Sequence, residues 1–346
     1  MKRLILIMLL LLFLALPVQA SENTAPSVPE SAEEYMPQDT ESFSEGLWHV
    51  IKTGIGKALP ELTEVMGICL QLFAVVILTS VLSNVSESGK KTANLAGTLA
   101  VSLILLEPSQ SLVSLGLDTA KQLADYGKLI LPSLTAALAA QGGITTSAAL
   151  YTGTALFSAI LSACITRLLV PLVWIYLCLG IAGCFLKDET ISNLKQFSKW
   201  LITWTLKITL YVFTAYMSIT GVVSGSADAT AIKATKLTIS GFVPMVGGII
   251  SDASEAILVS AGTVKNAIGI YGMIATAAII VGPFIAIGIQ YLLLKISCAL
   301  CKVIGAKETV AVIGDFSKAM GMILAMIGSL CLMLIVSMFC FMRGIQ

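Results

Sequence analysis

Asp252 and Glu255 stand three residues apart in a stretch that is otherwise apolar and small. On a helix that spacing places both carboxylates on one face. Two carboxylates on one face can hold a cation or relay a proton. They follow Gly241, Pro244, Gly247 and Gly248, which cluster within eight residues. Such a cluster interrupts a helix and leaves polar backbone ends free, as at many ion and substrate sites of transporters. The residues equally allow an interfacial helix whose acids simply face water. Asp228 and Lys236 precede this block, and Lys265 with Asn266 closes it, so a polar path is expected near Pro244 to Glu255. Glu107 before Pro108 carries the same ambiguity. Asp315 is expected to pair with a nearby lysine or with water.

No enzyme chemistry emerges from the remaining residues. The chain has no Walker loop, no HExxH and no GxSxG. Cys298 and Cys301 form a CxxC, but no second pair has zinc-site spacing and the sole histidine is His49. The eight cysteines lie in or beside apolar segments, where packed or lipid-facing thiols are expected. The reading is therefore non-enzymatic, with no catalytic residue, cofactor or metal.

The elements that must position these residues are membrane helices. Of 346 residues, 57% are hydrophobic and 12% charged, about half the charge of an ordinary soluble domain. Residues 266–294 and 319–342 carry no charge, and each exceeds the ~20 residues that cross ~30 Å of hydrocarbon. Further spans are expected at 65–86, 93–117, within 129–166, at 168–186 and at 201–223. Pro132 and Gly142-Gly143 are expected to break 129–166, and 224–238 reads as a polar loop. The fold class is all-α, a polytopic helical bundle.

Lys2 and Arg3 before the apolar run Leu4–Leu16, then Pro17 and Val18-Gln19-Ala20, have the layout of a signal peptide over 1–20. Residues 21–46 hold seven acids and no Lys or Arg, which predicts a disordered, acidic, extracytoplasmic arm. Residues 47–62 read as an amphipathic surface helix and, with two membrane helices, make a unit of 47–120. Lys90-Lys91 then falls in the cytoplasm. Without Lys2 and Arg3 the net charge is −1, and residues 51–346 alone carry +6; neither balance suggests nucleic acid.

Two halves of the remainder are related. Pro132 and Pro171 lie 39 residues apart, as do Pro244 and Pro283. Glu189-Thr190 and Phe197-Ser198-Lys199 reappear at one spacing as Glu308-Thr309 and Phe316-Ser317-Lys318. Allowing one insertion of seven residues, unit 121–223 overlays unit 224–346. Whether the units run parallel or inverted stays open, although lysines in both connectors, 187–199 and 302–318, favour parallel. Gly221/Gly225, Gly282/Ala286 and Gly321/Ala325 have the spacing that lets helices approach closely, in this chain or in an oligomer.

The central block is more specific. Tyr216-Met217-Ser218-Ile219-Thr220-Gly221 leads through Asp228 and Lys236 to Gly241-Phe242-Val243-Pro244-Met245-Val246-Gly247-Gly248, then Asp252 and Lys265-Asn266-Ala267-Ile268-Gly269. It resembles the stage III sporulation protein AE family of endospore-forming bacteria, specifically over 200–272 and more loosely over 60–200 and 273–346. The resemblance implies a multi-pass protein of the mother-cell-derived outer forespore membrane. It implies partnership with other stage III sporulation membrane proteins in a channel or secretion-like conduit, with the arm between the two membranes. It supplies no catalytic residues. The alternative reading is a stand-alone secondary transporter using Asp252 and Glu255.

Overall fold

The structure is a computed structural model that describes residues 27–37, 43–85, 87–186, 188–242, 247–304 and 307–343; side chains are described except at 59–61, 84–89, 221–227, 229 and 231–259. The described residues fold as helices, as the apolar composition requires: in hydrocarbon each backbone N–H and C=O must be satisfied within its own segment. In order they are α1 (Glu30–Glu33), α2 (Phe43–Val85), α3 (Glu87–Ala140), α4 (Ile144–Cys164), a π-helical turn (Ile165–Leu169), α5 (Val170–Leu186), α6 (Glu189–Phe242), α7 (Gly247–Ile304) and α8 (Lys307–Arg343). Among the described residues five segments are long and apolar enough to cross a membrane: Leu62–Ser83, Lys90–Ala140, Ile144–Leu186, Ser260–Ile304 and Lys307–Arg343. The expected span 201–223 lies within α6 and is not among the five.

α8 is the centre of the bundle and packs against α3, α4, α5, α6 and α7. Its exposure follows a strict period: Ala311, Lys318, Ala325, Leu332 and Phe339, each seven residues after the last, are open while most residues between them are buried. A single narrow stripe repeating every two turns is what a helix shows when neighbours enclose it on all other sides. Ile323, Met326, Leu330, Leu334 and Met338 fill the core from this helix.

Hydroxyls are absorbed along the helices. Thr79, Ser102, Thr119, Thr276, Ser329 and Ser337 each donate to the carbonyl four residues earlier, the usual solution where water is absent. Thr154 Oγ1 and Ser337 Oγ, 3.0 Å apart, bridge α4 to α8.

Several expected breaks are continuous helix. α3 runs through Pro108 and Pro132, and α7 through Pro283; the break expected at Gly142-Gly143 is present, and Gly142 there takes φ 97°. At Pro171 the helix widens into the π turn just before it, which makes room for a ring that would otherwise meet the carbonyl of residue 167. The expected polar loop 224–238 is helical. Between Gly225 and Gly241 it holds no Pro, Gly or Asn, and Ala227, Ala229, Ala231 and Ala234 are strong helix formers. The charged connectors are short: most of 187–199 and 302–318 forms the first turns of α6 and α8.

The leader, and 21–26 and 38–42 of the arm, lie outside the described residues. Residues 28–34 of the arm lie against the bundle. Val28 and Ala32 are buried, Ser31 Oγ donates to Gln122 Oε1 at 3.0 Å, and Lys57 pairs with Glu34. Residues 47–62 are not a separate surface helix but the first part of α2.

Candidate functional site

Two polar constellations lie at opposite ends of the bundle. The first surrounds the turn between α3 and α4. The N-cap of α4 is Gly143, which has no side chain to satisfy the first amides of the helix. Asp228 of α6 supplies the missing acceptor: Oδ1 takes the Thr145 N–H at 3.2 Å and Oδ2 the Thr146 N–H at 2.8 Å. Burial pushes this carboxyl up, but the bonds from Thr146 and Thr145 outweigh it and hold it below its ordinary value. Lys265 of α7, also buried, donates to Gln141 Oε1 at 2.6 Å. Gly262 lets α7 come close, since a Cβ there would stand 2.7 Å from Gln141 Nε2. One turn is thus clamped by a carboxylate from α6 and an ammonium from α7.

Two residues singled out in the sequence therefore meet here, Asp228 and Lys265. Asn266 is exposed. Lys236 is within α6, and Gly247, Gly248, Asp252 and Glu255 are within α7, where the helix is described and those side chains are not. Pro244 lies outside the described residues.

The second constellation was not legible as a site. Asp315 of α8 is 4% exposed and takes three donors: Tyr176 Oη of α5 at 3.0 Å, Lys195 Nζ of α6 at 2.8 Å and Lys318 Nζ at 3.1 Å. The expected local lysine is Lys318; Lys195 comes from α6, 120 residues earlier in the chain. Gly180 of α5 allows the approach, because a Cβ there would lie 2.8 Å from Asp315 Oδ2. The signal available in the sequence is that Asp315 is the sole acid after Glu308.

Nearby, the ends of three helical hairpins converge. Ser80 Oγ donates to the Ile304 carbonyl at 2.9 Å, Asn94 Nδ2 to Glu308 Oε2 at 3.1 Å, and Cys184 Sγ to the Glu308 carbonyl at 3.5 Å. A cavity of about 400 Å³ is lined from both sides, by Gly183, Asp188 and Glu189 and by Lys307, Glu308 and Ala311. The α5–α6 and α7–α8 junctions therefore share one end of the molecule. α6 and α8 both leave from it.

Geometry of this kind, a membrane bundle with polar clamps at both ends, is set beside known proteins by a match that spans it. Residues 31–343 match the family described as stage III sporulation protein AE. The chain belongs to that family. A curated relative, Stage III sporulation protein AE of Bacillus subtilis (strain 168), is 20% identical over 278 residues, covering 80% of this chain and 69% of that protein. No solved structure matches. The family match takes in both clamps and runs from the buried part of the arm to the last residue of α8, so the bundle as a whole is the family's unit. Among the described residues no group of three or more His, Cys, Asp or Glu could hold a metal ion.

Proposed function

We propose that this sporulation-family membrane protein is a non-enzymatic component of a channel or secretion-like complex. The complex would join mother cell and forespore and be required for forespore development. The observation that carries this reading is the family match over the whole described bundle. The architecture fits it: Asp228, Lys265 and Asp315 hold helices to one another. The expected site is the outer forespore membrane. The basic residues at the junction end support a cytoplasmic face there, since Lys90, Lys91, Lys195, Lys302 and Lys307 outnumber Asp188, Glu189 and Glu308. α2 then begins on the opposite, extracytoplasmic side, with the arm packed there.

Affinity purification of the full chain from sporulating cells after mild cross-linking tests this. Other stage III sporulation membrane proteins should co-purify, and cells lacking the chain should fail to complete forespore development. A chain that purifies alone and moves a solute by itself in proteoliposomes, with activity lost in Asp252→Asn, would replace this reading with the transporter.

A further inference from the structure

A second cavity of about 420 Å³ opens at the junction end between α3, α5 and α8. Its polar wall is Lys90, Lys91 and Asn94 of α3 with Glu308 of α8; its apolar wall includes Phe185 and Leu186 of α5. Lys90 and Lys91 are exposed and form no ion pair with any described residue. Glu308, the carboxylate in the lining, already accepts the Asn94 amide. Beside the two ammonium groups, Leu186 is 68% exposed.

We propose that this cavity binds the headgroup of an anionic phospholipid, with the phosphate between Lys90 and Lys91 and the start of an acyl chain along Phe185 and Leu186. Two adjacent point charges suit a phosphate oxyanion. Inorganic phosphate would meet the lysines and leave the apolar wall wet, whereas an amphiphile covers both. Basic pockets between helices on the cytoplasmic side of a bilayer are where such headgroups lodge. The neighbouring 400 Å³ cavity provides a contrast: Asp188, Glu189 and Glu308 outnumber Lys195 and Lys307 in its lining, so an anion is disfavoured there. A lipid in the 420 Å³ cavity would tie α3, α5 and α8 together where the hairpins converge. The proposal rests on the chain spanning a bilayer with the junction end cytoplasmic, as proposed above, and not on its place in a sporulation complex.

The test uses the full chain in nanodiscs of phosphatidylcholine alone or with phosphatidylglycerol, read by retained lipid in native mass spectrometry. The wild type should retain phosphatidylglycerol at least threefold over phosphatidylcholine. The Lys90→Gln/Lys91→Gln variant should lose that preference, and Lys302→Gln, at the same end but outside the cavity, should keep it. A lysine-acylation footprint gives a readout that needs no variant: phosphatidylglycerol should protect Lys90 and Lys91 and leave Lys302 reactive. Equal retention by wild type and double variant overturns the proposal, as does equal acylation in the two lipids. Inorganic phosphate at millimolar concentration protecting the lysines as fully as the lipid also overturns it.

Discussion

Lys195 Nζ and Asp315 Oδ2 lie 2.8 Å apart although 120 residues separate them in the chain. The pair joins the first turns of α6 and α8, the two helices that leave the junction end side by side. Asp315 is enclosed while Lys195 keeps 24% of its side chain open to solvent. The attraction is therefore stronger than at a surface pair, and the cost of desolvating both partners is smaller than in a deep core. Lys195→Met should destabilise the detergent-solubilised chain by about 1–2 kcal/mol, and Asp315→Asn by about 2–3 kcal/mol because it also weakens the Tyr176 and Lys318 bonds. In a double-mutant cycle the two should couple by about 1 kcal/mol or more. Additive effects in thermal unfolding would show that the contact contributes no net stability.

Gly180 offers an independent probe of the same place. A methyl group there would press on Asp315 Oδ2 with no flexible chain end to yield, since that carboxylate is already held by three donors. Gly180→Ala should cost about 1–3 kcal/mol by overpacking, despite the gain in helix propensity from removing a glycine. Gly56, with nothing within 4 Å of its added Cβ, should respond oppositely: Gly56→Ala should stabilise by several tenths of a kcal/mol. Thermal unfolding of both variants decides it; a Gly180→Ala chain as stable as Gly56→Ala would mean that α5 and α8 do not approach as described.

How much of this was legible follows from what each feature depends on. The membrane helices were, because uncharged runs of twenty or more residues can be stable only in one environment. Continuity through Pro108, Pro132 and Pro283 was not. A proline costs about 3 kcal/mol in a helix interior, and only packing against neighbours, which sequence does not display, decides whether the helix survives it. The stretch 224–238 reads as a loop from its Asp and Lys residues, whereas its alanines favour the helix it forms. Asp228 and Lys265 stood out as polar residues in an apolar context, yet their common partner, the Gln141–Thr146 turn, is 82 or more residues away from Asp228 and 124 from Lys265. The Asp315 cluster depended on two hairpins sharing one end, a relationship that lysine counting favoured but residue type alone could not establish.

Asp228 carries the most specific pH prediction. Its carboxylate caps a helix whose own N-cap is glycine, so Asp228→Ala leaves two amides without their acceptor and should cost about 1–2 kcal/mol locally. Its pKa is held below the ordinary value in the folded chain. For a carboxyl lowered by folding, the stabilisation is fully present above the unfolded value, about 3.9. It is lost as pH falls through the lower folded value. Hydrogen–deuterium exchange of the peptide covering 143–150, corrected for the intrinsic pH dependence of exchange, reads this directly. Wild-type protection should exceed that of Asp228→Ala by about fivefold to thirtyfold at neutral pH. The ratio should stay level down to about pH 5 and shrink toward one below about pH 4. Asp228→Asn, which can still accept one amide but carries no charge, should fall between the two and show no such acid step. A wild-type advantage that persists unchanged well below pH 3, or that is absent at neutral pH, would mean that the carboxylate does not hold the start of α4.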